Sequence, residues 1–366
     1  MWIPEYLRKN VTETNNDQTL YIDLPKNEQI SFLQVELSAQ GAAVARTTTT
    51  FIDQIDSIEV LADGSKVIFS LEPEIALYAH FIGHNGIYAP CSFNNAPNAR
   101  DTLEFKILFG RYPFDPDYML DTSLYNNVQL RIKYTLDIVT NFTTATFREN
   151  IIMWRPLEKM APIGFIRHRV IKKETSNAAV EVLYHDLPMT YPLRYLAARF
   201  EDLDQNLSTD CTAIKINIDE GRLLLRDQNI NEIRDEDKQR YPEISYYKIL
   251  GALSNETMIR GYTDYPYPRA IVSSGVRALM FKLYWAIGEQ VGLNIYEENG
   301  VAVGDSHAID VYVSGPNPHK CLTLFDGREE SLDVTKYSEG KIEYTMAAFS
   351  TIIHTYVQEI VRGVLM

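Results

Sequence analysis

The sequence predicts an all-β chain made of two tandem copies of one antiparallel β-domain. Three observations carry this. Apolar and polar residues alternate along short segments, turn dipeptides separate the segments, and one set of landmarks recurs in order in both halves. Leu33, Val35 and Leu37 alternate with Phe32, Gln34 and Glu36. Leu103, Phe105, Ile107 and Phe109 alternate with Thr102, Glu104, Lys106 and Leu108, and Leu130, Ile132 and Tyr134 with Arg131, Lys133 and Thr135. A period of two with one polar face marks half-buried antiparallel strands. Asp63-Gly64, Asn85-Gly86, Asn299-Gly300, Gly315-Pro316 and Asp326-Gly327 supply turns between runs. Many short strands at short spacing make a sandwich or barrel rather than βαβ units. Asn229–Arg240 is so polar that it reads as an exposed loop or short helix.

The repeat is read from five landmarks. Leu20-Tyr-Ile-Asp-Leu-Pro25 recurs as Leu183-Tyr-His-Asp-Leu-Pro188, an offset of 163 that also carries Leu33, Val35 and Leu37 onto Leu196, Ala198 and Phe200. Ile58-Glu-Val60 matches Ile214-Lys-Ile216, and Leu103–Phe109 is matched to Ile309–Val313. The strand Leu130–Thr135 matches Lys341–Thr345. The second copy is longer, and the surplus is assigned to an insertion at about 222–277. The expected layout is an N-terminal arm at 1–16, a first domain at 17–161, a linker at 162–177 and a second domain at 178–366.

Composition narrows the function classes. The 366 residues hold 35 Lys+Arg against 49 Asp+Glu, a net charge of −14, which argues against a surface that coats nucleic acid. The 23 Tyr and 15 Phe suit strands and buried interfaces. Cys91, Cys211 and Cys321 form no paired clip, so neither a disulfide framework nor a structural zinc site is expected. The first ten residues hold no signal-peptide core, and the apolar windows Val276–Tyr296 and Met346–Met366 carry charges that a membrane span excludes. The basic run Arg167–Lys173 is read as a solvated strand between domains.

Motifs for chemistry are weak. There is no GxGxxG and no GxxxxGK[ST]. Ser306 and His307 are adjacent, which by itself makes no triad. His80 and His84 have zinc-like spacing without the intervening Glu of HExxH, and are read as buried histidines in a strand-rich stretch. Asp115/Asp117 and Asp202/Asp204 are close carboxylate pairs of the kind that bind Ca²⁺ or cleave glycosides, and are read as solvated loop acids. No catalytic, cofactor-binding or metal-ligating residue is assigned, no cofactor is expected, and the chain is expected not to be an enzyme.

Four passages carry a family resemblance. They are Gly164-Phe-Ile-Arg with Leu183–Tyr195, Phe109–Asp121, Ile55–Ser65 and the closing strand Thr355–Met366. In these, in length and in internal duplication, the chain resembles the double jelly-roll major capsid proteins of membrane-containing icosahedral viruses, the tectivirus, corticovirus and adenovirus lineage. The resemblance implies two eight-stranded jelly rolls, a homotrimer acting as a pseudo-hexameric capsomer, and a virion shell tiled around an internal membrane. It further implies synthesis in the host cytoplasm, contacts with neighbouring capsomers and minor or vertex proteins, and no sequence-specific nucleic-acid binding. The N-terminal arm, with Trp2, Ile3, Tyr6, Leu7, Arg8 and Lys9, is a candidate membrane contact. Two alternatives stand beside this reading. One is a carbohydrate-binding sandwich using Tyr262, Tyr265 and Tyr267; the other is a double-jelly-roll hydrolase using Asp202 and Asp204.

Overall fold

A computed structural model describes residues 1–43, 51–86, 91–92, 98, 100–139, 141–144, 146–178, 180–201, 211–240, 247–251, 269–275, 278–284, 290–295, 307–311, 321–347 and 350–363. The first copy contains β1 (Trp2–Thr12), β2 (Asp17–Asp23), the short β3 (Gln29–Ile30), β4 (Phe32–Gln40), β5 (Ile55–Ala62) and β6 (Lys66–Leu71). Helix α1 (Pro73–Gly83) follows, then β7 (Cys91–Ser92), β8 (Arg100–Leu108), the short β9 (Leu120–Asp121), β10 (Val128–Thr135) and β11 (Arg148–Pro156). The second copy contains β12 (Phe165–Thr175), β13 (Val182–Asp186), β14 (Leu193–Glu201), β15 (Cys211–Ile218), β16 (Leu223–Asn229) and helix α2 (Ile230–Arg240). After it come β17 (Tyr247–Gly251), β18 (Arg269–Gly275), β19 (Ala278–Tyr284), β20 (Gln290–Ile295) and β21 (His307–Val311), then β22 (Cys321–Asp326), β23 (Gly340–Met346) and β24 (Ile352–Val361).

Each copy is a jelly roll of two four-stranded sheets. The first pairs β1-β11-β4-β8, extended by β7, over β2-β10-β5-β6; the second pairs β12-β24-β14-β22 over β13-β23-β15-β16. The strand orders are the same once β1 is set against β12. Side-chain alternation points Leu33, Val35, Leu37, Leu103, Phe105, Leu130 and Ile132 into the first core, and Leu196, Ala198, Phe200, Ile214, Ile216 and Ile342 into the second. The two rolls are fused edge to edge. β6 of the first and β12 of the second pair in parallel, His168 with Phe69 and Arg169 with Ser70, making one eight-stranded sheet.

The duplication holds at the level of register. Ile58, Ile132 and Leu20 lie in one cross-strand row, as do Ile214, Tyr344 and Leu183. Val60, Leu130 and Ile22 form the next row, matched by Ile216, Ile342 and His185. Even the bulges recur. The ladder slips between Tyr6 and Arg8 in β1 and between Val170 and Lys172 in β12, and the extra residues, Leu7 and Ile171, both pack onto their cores.

Four expectations are corrected. Residues 2–12 are not an arm: they pair with β11 along its length, because β11 otherwise leaves an open edge. Residues 165–175 are not a solvated linker but a central strand, and His168 within it is buried. The insertion begins after α2 rather than at 222, since β16 and α2 repeat β6 and α1; it spans 241–320 and contains β17–β21. The counterpart of β8 is therefore β22, which pairs with β14 as β8 pairs with β4, and not the Ile309–Val313 segment, whose β21 pairs with β17. Deleting residues 1–12 is expected to lower the thermal midpoint by several degrees, because it exposes β11 and removes Leu7 from the core. An unchanged melt would return these residues to the status of an arm.

Candidate functional site

The densest polar chemistry lies between the rolls, around α1. Glu72 follows β6 as the extended N-cap of α1, and Pro73 supplies the first helical residue without needing a backbone N–H partner. From Pro73 to Gly83 every residue but Glu74 is buried. A helix apolar all round needs cover on all sides. Its inner side packs on the first core, and its other side lies on the outward face of β14, so that Tyr195, Ala197, Cys321 and Tyr356 of the second roll join the first roll's apolar cluster.

Three hydroxyls tie the helix down. Tyr78 Oη lies 3.0 Å from Tyr195 Oη and 3.1 Å from Thr323 Oγ1, and Tyr195 Oη lies 2.6 Å from Thr323 Oγ1. At the helix N-terminus Lys173 donates to Glu72 (3.0 Å), and Arg199 reaches both Glu72 (3.2 Å) and Glu74 (2.6 Å). Further along the junction Glu359 is fully buried and accepts from Arg169 Nε and Nη2, at 2.8 and 3.2 Å. His168 Nδ1 meets Tyr356 Oη at 2.8 Å; burial, and then the Arg194 charge, push this histidine down to about 3, so it is neutral. Burial pushes the Cys321 thiol up, which removes it as a nucleophile.

The helices also close the sheets. His80 Nδ1 accepts from the backbone N–H of Lys106 on β8 (2.9 Å), and Asp237 Oδ2 on α2 accepts from that of Thr323 on β22 (2.7 Å). These are equivalent positions in the two copies. His80 thus has a structural partner, and its ring stacks on His84 at 3.9 Å. The pair sits on a helix, not in the strand-rich stretch expected. Among the described residues no group of three His, Cys, Asp or Glu side chains is placed to hold a metal. Of the Asp115/Asp117 pair, Asp117 is an exposed loop acid as expected, whereas Asp115 is not. Asp115 is buried and grips Arg111 at 2.7 and 3.0 Å, while Asp117 takes the same guanidinium at 2.6 Å. Asp202, Asp204, Tyr262, Tyr265, Tyr267 and Ser306 lie outside the described residues.

Two arrays were not foreseen. In the second core Thr355 Oγ1 meets His185 Nδ1 at 2.5 Å and Tyr344 Oη at 2.8 Å, and His185 Nε2 lies 3.2 Å from Glu174. Hydroxyl, imidazole and carboxylate stand in the order of a nucleophile relay. Thr355 and His185 are both wholly buried, however, and burial pushes His185 down to about 4. The same rows of the first roll hold Ile151, Ile22 and Ile132, so the array is a polar variant of core packing. The second array is Glu149, in the first core where the second has Ile353. Neither of its buried oxygens has a hydrogen-bond partner, and Arg8 lies 3.6 Å away. Burial, with Glu13 adding to it, pushes this carboxyl up to about 7.

No family model matches the chain, and no curated protein matches it. Solved structures do. The major capsid protein of STIV matches with a TM-score of 0.58 at 12% identity, over 99% of this chain and 98% of that one. A chain in the atomic structure of Sulfolobus Turreted Icosahedral Virus matches with a TM-score of 0.59 at 12% identity, over 99% and 91%. The major capsid protein P2 of bacteriophage PM2 matches with a TM-score of 0.51 at 10% identity, over 99% and 98%. The double jelly-roll fold is therefore shared end to end with these viral capsid proteins.

Replacing His185 by Ala should cost about 2–4 kcal/mol in urea unfolding, since it leaves a cavity and removes a partner of Thr355. Changing His185, Tyr344 and Thr355 together to the isoleucines of the first roll should cost less than the sum of the three single changes. Glu149 gives a pH signature. Its proton leaves the unfolded chain near 4.5 and the folded chain near 7, so the folded state binds more protons between these values and stability falls as pH rises through them. Glu149→Gln should stabilise by about 2–3 kcal/mol at pH 8 and have little effect at pH 4. An unaltered pH slope in the variant would remove Glu149 as its source.

Proposed function

We propose that the chain is a major capsid protein, acting as a homotrimer that forms a pseudo-hexameric capsomer in an icosahedral shell around an internal membrane. The observation that carries this is the end-to-end match to the STIV major capsid protein, 99% of this chain against 98% of that one. Both rolls and their connection are included in that match, so it is not a likeness of one common sandwich. The junction chemistry supports the reading. Its hydroxyls and neutral histidine are buried and hydrogen-bonded, with ion pairs beside them, as in a scaffold, and the histidine beside the buried threonine has no exposed reacting atom. A charge of −14 per chain keeps separate copies apart in dilute solution until complementary surfaces meet. Residence in the virion, contact with neighbouring capsomers and with minor or vertex proteins, and an underlying membrane belong to the same proposal.

The test is native mass spectrometry with negative-stain imaging of the purified chain. The expected result is a particle of three 42.0 kDa chains with a hexagonal outline. A monomer at every concentration, together with failure to enter shells, would overturn the proposal.

A further inference from the structure

The contact between the rolls is heterologous: a helix of the first copy covers the outward sheet face of the second. Because the copies agree in register, each residue of that contact has a counterpart elsewhere in the chain. α2 stands where α1 stands, eleven residues in each. The outward face of β11, β4 and β8 stands where that of β24, β14 and β22 stands. Within one chain these two counterparts do not meet. Asn231, Glu232, Asp235 and Gln239 on α2 are exposed, whereas the matching residues of α1 are buried or, for Glu74, half-buried, and Tyr78 and Glu74 among them touch the second roll. Gln34, Glu36, Glu104 and Lys106 are half-buried on a face whose counterpart lies beneath α1.

We propose that α2 of one chain docks on the outward face of β11, β4 and β8 of a second copy, as α1 docks on β14 within the chain. The counterpart residues are chemically matched. Tyr78 and Thr323, 3.1 Å apart, map onto Asp235 and Lys106, an acid and a base. Tyr195 maps onto Phe32, and the Lys106 ammonium already sits 5.3 Å above that ring, where the Asp235 carboxylate arrives. Glu74 and Arg199, 2.6 Å apart, map onto Asn231 and Glu36, so an amide donor meets a carboxylate where an acid met a base. Neither mapped contact sets like charges against each other, although all four residue types have changed. The intrachain helix face is apolar and this one is polar. That difference suits a surface that is first wet and later buried, against one buried as the chain folds. The contact runs from the second roll of one chain to the first roll of the next, so it is head-to-tail, the kind of contact that builds a ring when its rotation closes. It rests on the trimer reading and names the surfaces that would build it.

The experiment is native mass spectrometry at fixed micromolar concentration in about 0.1 M salt, where facing charges are only partly screened. Asp235→Lys and Asn231→Glu alter the exposed face of α2; Lys106→Glu alters the sheet. Far-UV circular dichroism and the thermal midpoint of each monomer report folding. Asp235→Lys and Lys106→Glu should each weaken trimer formation by about tenfold or more, and the two combined should restore it. Asn231→Glu should weaken it through like charge against Glu36. If Lys106→Glu disturbs folding, the two helix variants decide the matter alone. A wild-type trimer that both helix variants leave intact overturns this interface and spares the trimer reading. A wild-type chain that never trimerises overturns both.

Discussion

The structure depends on α1 having no polar side. A helix of eleven residues with a single half-buried side chain cannot rest on one roll, because half its surface would then face water. The second roll supplies the missing cover, and Tyr78, Tyr195 and Thr323 fix the angle at which it does so. The parallel pairing of β6 with β12 is short, two residue pairs, and could not hold two domains in register alone. Burial of the helix and the ion cluster of Glu72, Glu74, Lys173 and Arg199 make the pairing one unit.

The copies show which features a jelly roll needs and which it can vary. Bulges after Tyr6 and Val170 recur, because each bends its strand so that Leu7 or Ile171 reaches the core. A helix side chain accepts a backbone N–H of β8 or of its counterpart β22 in the two copies, yet it is His80 in one and Asp237 in the other. The backbone donor must be satisfied, and any acceptor at that position serves. Core chemistry is freer still. Ile22, Ile132 and Ile151 of the first roll become His185, Tyr344 and Thr355 in the second, and hydrogen bonds among them offset the loss of apolar packing.

The same accounting separates scaffold from chemistry. Glu359, His168 and Arg194 are ionisable groups out of water, and each has a partner: Arg167 and Arg169 for Glu359, Tyr356 for His168, and Gln358 with the Arg111 carbonyl of the β8–β9 loop for Arg194. Glu149 is the exception among the buried carboxylates described, with no hydrogen bond to either oxygen. It lies at the end of the first core under β1, where Glu13 and Arg8 pull its charge in opposite directions.

Much of the fold was legible in the chain because strand side chains repeat every second residue and the copies kept their landmarks. The all-β class and the inward faces through Leu33, Leu103 and Leu130 follow from that periodicity, and the duplication from the landmarks. The helix α1 did not, since a segment apolar on all sides has no period; the Glu72-Pro73 start was its only local mark. Nor was strand β1 legible as an edge, because Trp2–Thr12 lacks clean alternation and its bulge breaks the pattern. The junction was hidden for a different reason: Tyr78, Tyr195 and Thr323 are up to 245 positions apart, and no spacing rule links them. Sequence by itself determined two β-domains of one design, whose strands carry their own inward and outward faces. Tertiary structure alone decided that the N-terminal segment closes the first roll, that the supposed linker is a central strand, and that one apolar helix joins the two rolls, because each depends on which surfaces are left uncovered when the strands have paired.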